Sequence, residues 1–389
     1  MKRHLFLIAF LAAYMAAPAQ ESVGNILEMV AKDSPRLKAA SEATRADQAD
    51  NARIRALEAP EFEVGVLWGN DNVGNRNDIS ITQSFDLATL SGKKGNLATA
   101  LDLQSSLRYQ AELTDVIYDA RILLSDIVYY NNLIETLTSY QSAMEVLLNK
   151  TERSLMAGEA TAMDMGKVRL QLSSARTATS MAVTERTALI ESLRTISGHS
   201  DVDFTGFSFE CDKPSGDIDS WLNAVVENNP IMLYAESRVR SDELQLDIDK
   251  MAWAPKLDVG YMAELARDEK YRGVTVGVSI PLWSNAQNVR RSRAVVSQAR
   301  ADGEWQRQEL MTRATNAWNR ANTLDRIASE SHTALEQSDT RALLDRALES
   351  GELSVLDYLL ELGMYYDAVK ENLKVQQEYH HALSDLARY

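Results

Sequence analysis

Two stretches of the chain alternate apolar and polar residues with a period of two, and each is followed by long helical periodicity. In the first stretch, 61–88, Phe62, Val64 and Trp68 fall on one side of an extended chain, and a Gly/Asn-rich turn divides the stretch into two runs. The second stretch, 256–283, repeats this alternation. The pattern predicts four strands of about ten residues each, arranged as two β-hairpins.

A proline-free segment follows each hairpin, roughly from Leu90 to Lys150 and from Asn288 to Ser350. A helix of about sixty residues would be ~90 Å long. Apolar residues recur in these segments at heptad-like spacing, as in Leu133, Leu137, Tyr140, Met144 and Leu147. We therefore expect each long helix to pack along its length against neighbours in coiled-coil fashion.

Each long helix is predicted to end at a Gly-Glu pair. A new helix then starts with a hydroxyl-bearing N-cap that is followed three residues later by an aspartate, which is the spacing of a capping box. The two turns contain Gly158, Glu159, Thr161 and Asp164 in the first case, and Gly351, Glu352, Ser354 and Asp357 in the second. The sequence therefore predicts two long helical hairpins with tips near 158 and 351. A helix of about two dozen residues that ends at an Ala-Pro pair is also predicted before each β-hairpin.

The chain contains one structural unit twice. Pro35 and Pro230, Pro60 and Pro255, and Gly65 and Gly260 are each 195 positions apart. Near the tips, Arg153, Leu155, Gly158, Glu159 and Asp164 recur 193 positions later as Arg346, Leu348, Gly351, Glu352 and Asp357. We divide the chain into a first repeat at 20–197, a linker at 198–220 and a second repeat at 221–389.

The first nineteen residues resemble a secretion signal. Lys2 and Arg3 precede an apolar run, and Ala17 and Ala19 place small residues where a signal peptidase reads them, which predicts cleavage after Ala19. The alternative is an uncleaved apolar helix. The run is too short to span a bilayer, and no later stretch is long and apolar enough to do so as a helix. We expect an exported protein without a transmembrane helix.

The composition argues against several functions. The 389 residues carry 41 basic and 56 acidic side chains, a net charge of -15, which disfavours nucleic-acid binding. A single cysteine, Cys211, excludes an intrachain disulfide framework and a multi-cysteine zinc site. No dinucleotide-binding, P-loop or metalloprotease motif is present, and the adjacent His380 and His381 point about 100° apart on a helix. We therefore expect neither an enzyme nor a cofactor.

The strands need a partner. A four-stranded sheet with one apolar face has open edges, which an exported protein must close or cover. Four strands are too few to close a membrane barrel, whose smallest bacterial examples have about eight. Apolar-polar alternation over about ten residues suits a strand with lipid on one side and water on the other. The pattern predicts a transmembrane β-barrel shared by several copies; a half-buried soluble meander has the same period and is the alternative.

The order and spacing of these motifs resemble the TolC family of outer-membrane efflux proteins over nearly the whole mature chain. The resemblance implies a mainly α fold with a small β part: long helical hairpins form an α-barrel in the periplasm, and four strands per chain join a shared barrel in the outer membrane of a Gram-negative bacterium. It implies a homotrimer in outer-membrane lipid, which docks on a periplasmic adaptor (membrane fusion) protein and an inner-membrane transporter. The duct would be passive and would export drugs, toxic compounds or metal ions.

The resemblance also implies roles for individual residues. Those at the tips would contact the adaptor: Arg153, Gly158, Glu159, Arg346, Gly351 and Glu352. Asp357, with the nearby Glu361, would narrow the lumen, and a ring of such carboxylates would favour cations over anions. Asp357 also has the spacing of a simple helix cap, and this alternative stays open. Leu353 and Leu360 depart from the family pattern, in which a basic and an acidic residue are found.

The main rival function is a soluble periplasmic coiled-coil adaptor or scaffold protein. Such a protein would share the secretion signal and the helical hairpins, but it would not have strands that cross the outer membrane.

Overall fold

The computed structural model describes residues 23–69, 75–200, 209, 216–266, 269–280, 285–337 and 340–389. Within these ranges the chain is mainly α-helical with one small sheet. The predicted cleavage site at Ala19, Cys211, most of the linker 198–220 and most of the Gly/Asn-rich turn of the first hairpin lie outside the described residues.

The helices and strands follow the duplicated order. In the first repeat they are α1 Val23–Asp33, α2 Pro35–Ile54, β1 Glu61–Leu67, β2 Arg76–Phe85, α3 Leu87–Leu90, α4 Lys93–Met156 and α5 Ala162–Ser197. They continue with α6 Ile218–Asn228, α7 Pro230–Met251, β3 Lys256–Leu265, β4 Lys270–Ser279, α8 Asn285–Gln337, α9 Thr340–Ser350 and α10 Val355–Ala387. None of the helices in the described ranges is both long and apolar enough to cross a membrane.

Two short helices, α1 and α6, were not predicted. Each has 11 residues, and α6 occupies the positions 195 residues after α1, so both belong to the repeat. Their apolar sides are buried at Val30 and Val225. Because α6 begins at Ile218, the last residues of the predicted linker 198–220 are helical.

The helices before the strands are shorter than predicted. α2 ends at Ile54 and α7 ends at Met251, not at the Ala-Pro pairs. After α2, the amide groups of Arg55 and Ala56 bond to carbonyls three residues back. These 3₁₀-type bonds satisfy carbonyl groups at the end of α2. The regular α-helix therefore ends several residues before the proline.

The chain divides into two compact units, and both repeats contribute to each. The first unit comprises Met1–Ser34, Ile117–Lys213 and Arg320–Ala387. At the tip end of its hairpins, the heptad positions of α4 and the inward positions of α5, α9 and α10 form one buried cluster. Its members are Tyr140, Ala143, Met144, Leu147, Val168, Leu172, Ala175, Leu344, Tyr358, Leu362 and Tyr366. The heptad prediction for α4 is confirmed at these positions.

The second unit comprises Pro35–Val116, Pro214–Asn319 and Arg388–Tyr389, and it contains the sheet. The strands pair antiparallel in the order β1-β2-β3-β4, so the two predicted hairpins join through β2 and β3. In the register, Ile81 faces Phe62 on one side and Tyr261 on the other, and Tyr261 faces Val274. The apolar residues of all four strands therefore lie on one face.

Candidate docking tips, lumen constriction and membrane-facing sheet

The first tip is a tight glycine turn. Gly158 has φ 78°, a left-handed conformation that residues with a Cβ adopt at a cost. The amide of Glu159 donates to the carbonyl of Ser154 at 2.8 Å, and the amide of Ala160 donates to the same oxygen at 3.2 Å. These bonds satisfy a carbonyl at the end of α4 and reverse the chain toward α5.

The second tip has the same hydrogen bonds at equivalent positions. Gly351 has φ 77°, and the amides of Glu352 and Leu353 both donate to the carbonyl of Ala347, at 3.0 and 3.2 Å. The sequence motif thus encodes a backbone geometry, which explains why glycine and the spacing recur in both repeats.

The two tip arginines are held in the same way. Arg153 Nε donates to the carbonyl of Asn149 at 3.2 Å, and Arg346 Nε donates to the carbonyl of Ala342 at 3.3 Å. Both side chains are exposed, as are Glu159 and Glu352. The structure therefore brings all six predicted tip residues to two matching exposed turns. It adds Met156, which sequence reasoning missed and which is 82% exposed beside the first turn.

Both predicted caps are present. Thr161 and Asp164 form a capping box, in which the Asp164 amide donates to Thr161 Oγ1 at 3.1 Å and the Thr161 amide donates to Asp164 Oδ2 at 3.0 Å. Hydrogen bonds from the Thr161 hydroxyl and amide lower the pKa of the Asp164 carboxyl below its ordinary value. At the second tip, the Asp357 amide donates to Ser354 Oγ at 3.1 Å, and this hydroxyl donates to Asp357 Oδ2 at 2.7 Å.

Asp357 and Glu361 lie one helical turn apart on the exposed face of α10. Leu360 and Met364, on the same side, are 57% and 66% exposed. The buried face carries Tyr358 and Leu362, so the acidic positions point away from the core of the first unit. Asp357 is therefore a cap, and it also belongs to an exposed face on which two carboxylates alternate with two apolar side chains.

A polar network that sequence reasoning missed supports the second hairpin. The Tyr358 hydroxyl donates to Asp345 Oδ1 at 2.6 Å, and Arg341 Nε donates to Asp345 Oδ2 at 2.9 Å. Arg341 also donates to the Tyr366 hydroxyl at 2.8 Å. Burial and the bond to Asp345 raise the pKa of the Tyr358 phenol well above its ordinary value. The i,i+4 spacing of Arg341 and Asp345 was the only local signal, because the tyrosines come from another helix.

Contacts within the first unit also join the two repeats. The rings of Tyr140 and Tyr366 pack with centroids 4.7 Å apart, and Ser139 Oγ lies 2.9 Å from the Tyr366 hydroxyl oxygen. Lys150 Nζ donates to the carbonyl of Leu348 at 2.6 Å. The tip region is therefore one packed body built from both hairpins.

The histidine pair near the end of α10 has two different environments. His381 Nε2 lies 2.7 Å from Asp126 Oδ1, and this contact raises the pKa of His381. The His380 ring stacks on Phe209 with centroids 4.5 Å apart, and burial, with the neighbouring His381, lowers the pKa of His380 to about 4. Across the described ranges no group of three or more His, Cys, Asp or Glu side chains is arranged to hold a metal ion.

The apolar face of the sheet is exposed in the single chain. Its large side chains have exposed fractions from 36% for Ile79 to 73% for Val274. They are Phe62, Val64, Val66, Ile79, Ile81, Leu257, Val259, Tyr261, Val274, Val276 and Val278. The opposite face is polar, with an example in Ser84, whose hydroxyl donates to Asp258 across the strand pair at 2.6 Å. β1 and β4 each have one edge that pairs with no strand among the described residues.

Comparison with protein-family models finds no match, and comparison with curated protein sequences finds none. Solved structures do match. A membrane protein from Pseudomonas aeruginosa aligns with a TM-score of 0.78 and 17% identity over 95% of this chain and 93% of that chain. The outer membrane protein VceC from Vibrio cholerae aligns with a TM-score of 0.77 and 10% identity over 94% of each chain. The outer membrane channel CmeC from Campylobacter jejuni aligns with a TM-score of 0.69 and 14% identity, over 94% of this chain and 84% of that chain.

These alignments extend over nearly the full length of both proteins, although few residues are identical. They confirm the predicted fold class, which combines duplicated long helical hairpins with four strands per chain. The chain therefore has the fold of the TolC family of outer-membrane channels.

Proposed function

We propose that this chain is one subunit of a homotrimeric outer-membrane exit duct of a tripartite efflux pump. The observation that carries the proposal is the sheet, whose apolar face is exposed and whose outer strands β1 and β4 have free edges. An aqueous environment penalises both features. Lipid against the apolar face and a neighbouring copy at each edge would remove both penalties, with the polar face turned toward a water-filled lumen.

The ends of the strands carry aromatic side chains that suit membrane interfaces. Trp68, just after β1, is 83% exposed, and Trp253, between α7 and β3, is 46% exposed. They mark opposite ends of the sheet, because β1 runs away from the helices and β3 starts beside them. Tryptophan is enriched at both membrane–water interfaces, so these positions fit a sheet that spans the outer membrane.

The helical tips would be the docking surface for a periplasmic adaptor, itself bound to an inner-membrane transporter that supplies the energy. Two matching exposed turns in each subunit, with their arginines and glutamates, would give a closed trimer a repeating ring of similar contacts. The duct itself would be passive and non-enzymatic.

Asp357 and Glu361 would narrow the lumen in the trimer. Three copies of the α10 face would bring their carboxylates near the axis, where they would favour cations over anions. In this proposal the bond between Ser354 and Asp357 holds the carboxylate in place, so the cap and the constriction are compatible roles.

Membrane fractionation tests the proposal. The processed protein should remain in the outer-membrane fraction after a periplasmic wash, should require detergent for extraction, and should migrate as a heat-modifiable oligomer. The alternative, a soluble periplasmic adaptor or scaffold, predicts release with the periplasmic wash and no heat-modifiable form.

The exported compounds require a separate experiment. A deletion strain should become more sensitive to the pump substrates when screened against drugs, detergents, bile salts and metal ions. Unchanged sensitivity to all four classes, with the protein correctly placed in the outer membrane, would contradict a role in small-molecule efflux.

A further inference from the structure

A cluster of arginines at the start of α8 has no partner among the residues that the structure describes. Arg290, Arg291 and Arg293 are all exposed, and none has an ion pair or side-chain hydrogen bond within the described part of the chain. The protein as a whole is acidic, with a net charge of -15. Three neighbouring cations without carboxylate partners are therefore unusual for this chain, and they are called the basic collar below.

The start of the corresponding long helix in the first repeat is different. Lys93 and Lys94 at the start of α4 each have a carboxylate partner: Lys93 Nζ lies 3.0 Å from Asp247, and Lys94 Nζ lies 2.7 Å from Asp86. The fold can thus neutralise cations at a strand-to-helix junction, and it does so in one repeat but not in the basic collar.

The carboxylates of α7 that lie nearest to the basic collar are already engaged. Asp247 pairs with Lys93 and with Lys250. Asp249 accepts hydrogen bonds from Ser292 and from Gln245. Among the described residues, therefore, no carboxylate neutralises the three arginines of the basic collar.

The position of the basic collar indicates its partner. β4 ends at Ser279 beside Lys256, the first residue of β3, so the helices that directly precede or follow a strand, among them α7 and α8, adjoin this end of the sheet. Arg290 is about 8 Å along α8 from its start. Ser292, between the arginines, bonds to Asp249, which lies two residues before the end of α7 and therefore close to the start of β3. Val278, near the end of the apolar face, and Trp253 mark the level at which lipid would give way to water.

The three arginines cover the exposed side of the helix. Successive residues point about 100° apart, and the buried side of this segment carries Val289, Ser292 and Val296. Arg293 also lines an open cleft between α7 and α8 together with Lys250. Each guanidinium group can donate two parallel hydrogen bonds to one phosphate, so three exposed arginines can bind several phosphate groups.

We propose that the basic collar binds the phosphates of anionic phospholipids, such as phosphatidylglycerol, in the leaflet that meets the helix-bearing end of the sheet. This inference rests on the proposed insertion of the sheet into the outer membrane. Basic residues next to a membrane segment attract anionic headgroups, and the attraction weakens as salt screens it. The contact fixes the depth of the duct in the membrane.

The test compares lipid preference in reconstituted vesicles. Brominated phosphatidylglycerol and brominated phosphatidylcholine with the same acyl chains quench tryptophan fluorescence when they contact the protein, and their competition gives a relative association constant. For the unchanged protein, we expect a preference for phosphatidylglycerol of at least about threefold that decreases with added salt. In the Arg290→Gln/Arg291→Gln variant the ratio should approach one, and Arg290→Lys/Arg291→Lys should retain most of it.

The matched control is Arg169→Gln/Arg307→Gln. Both residues are exposed and have no ion pair within the described residues, and Arg307 lies on α8 itself. It is 14 residues beyond Arg293 on nearly the same face, about 21 Å farther from the strands. The control removes the same charge and should leave the lipid preference unchanged.

The contrary outcomes are distinct. Equal affinity for the two lipids in the unchanged protein, or a preference that survives the Gln variant, overturns the inference while insertion stands. Loss of the preference on adding inorganic phosphate at constant ionic strength would assign the arginines to free phosphate. Loss of the trimer in the Gln variant, with the lipid preference intact, would assign them to a neighbouring copy. Absence of quenching by either lipid would contradict membrane insertion itself and, with it, the proposed function.

Discussion

Lys150 in the first repeat donates a hydrogen bond from Nζ to the main-chain carbonyl oxygen of Leu348 in the second repeat, across 2.6 Å. Leu348 lies in the last turn of α9, where carbonyl groups have no amide partner inside the helix. The ammonium group therefore satisfies a helix end and joins two hairpins that are far apart in sequence.

Replacing this lysine should loosen the tip. Lys150→Met keeps an apolar stem of similar length but removes the charged donor, and we expect it to lower the free energy of unfolding by about 1–3 kcal/mol. Hydrogen exchange should accelerate for the amides at the end of α9. Lys374→Met is the control, because Lys374 is exposed and has no ion pair within the described residues; equal effects of both variants would show that the bond contributes nothing specific.

Substitutions of Asp357 and Asp164 can distinguish a role in helix capping from a role in the lumen constriction. Both residues are the acidic members of a helix cap at equivalent positions of the repeat. Asp357→Asn and Asp164→Asn should therefore destabilise the protein by similar amounts, about 1 kcal/mol each. In planar bilayers, only Asp357→Asn should alter single-channel conductance or cation preference. Identical currents from both variants would leave Asp357 as a cap alone.

The glycine turns can be tested with side chains of two sizes. A Cβ at Gly158 or Gly351 would meet nothing within 4 Å, so any substitution there costs mainly the left-handed backbone conformation. We expect Ala or Trp at either position to cost about 1–2 kcal/mol. Only the Trp variants should block export, because a bulky side chain would obstruct the adaptor while trimers persist. Loss of export in the Ala variants would indicate that backbone strain is the cause.

The histidine pair predicts opposite effects of acid. The pKa of His380 is lowered to about 4, so the folded protein resists protonation of this side chain. The stability that the neutral ring contributes is present above the ordinary pKa of 6.5 and is lost as the pH falls toward 4. The free energy of unfolding should decrease by on the order of 3 kcal/mol over this range. The pKa of His381 is raised by Asp126, so its contribution is fully present below the ordinary pKa and is lost as the pH rises through its pKa in the folded protein.

Thermal unfolding at pH 7.5, 5.5 and 4.5 checks the direction of both predicted pH effects. His380→Phe keeps a ring to stack on Phe209 and should reduce the loss of stability in acid. His381→Gln should increase that loss, since it removes a side chain whose protonated form stabilises the folded protein in acid. The same pH profile for both variants would contradict the assigned environments.

The two faces of β4 should respond differently to charge. Val276 lies on the apolar face and is 68% exposed, whereas its neighbour Thr275 lies on the polar face. Val276→Arg should reduce assembly in lipid vesicles by about 2–4 kcal/mol, because it places a charge against lipid, and Thr275→Arg should assemble nearly normally. Assembly is measured by the fraction of heat-modifiable oligomer. The reverse order would place lipid on the other face.

The sequence alone determined the local structure of this protein. The hairpin tips, their caps and the alternation of the strands depend on residues a few positions apart, such as Gly158 with Thr161 and Asp164. Local hydrogen bonds and side-chain periodicity specify these features, and the duplication gave each of them twice. The short helices α1 and α6 were not predicted, because each has only 11 residues, about three turns, which is too short for a clear helical periodicity.

Only the tertiary structure decided which distant residues meet. Pairing of β2 with β3 joins residues such as Ser84 and Asp258, and the contact between Asp345 and Tyr358 depends on how two helices pack. Neither contact has a signal in sequence spacing, because it depends on the exact rotation of each helix and the register of each strand. The exposed arginines at the start of α8 also became evident only in three dimensions, since whether a charge has a partner depends on the groups that folding brings near it.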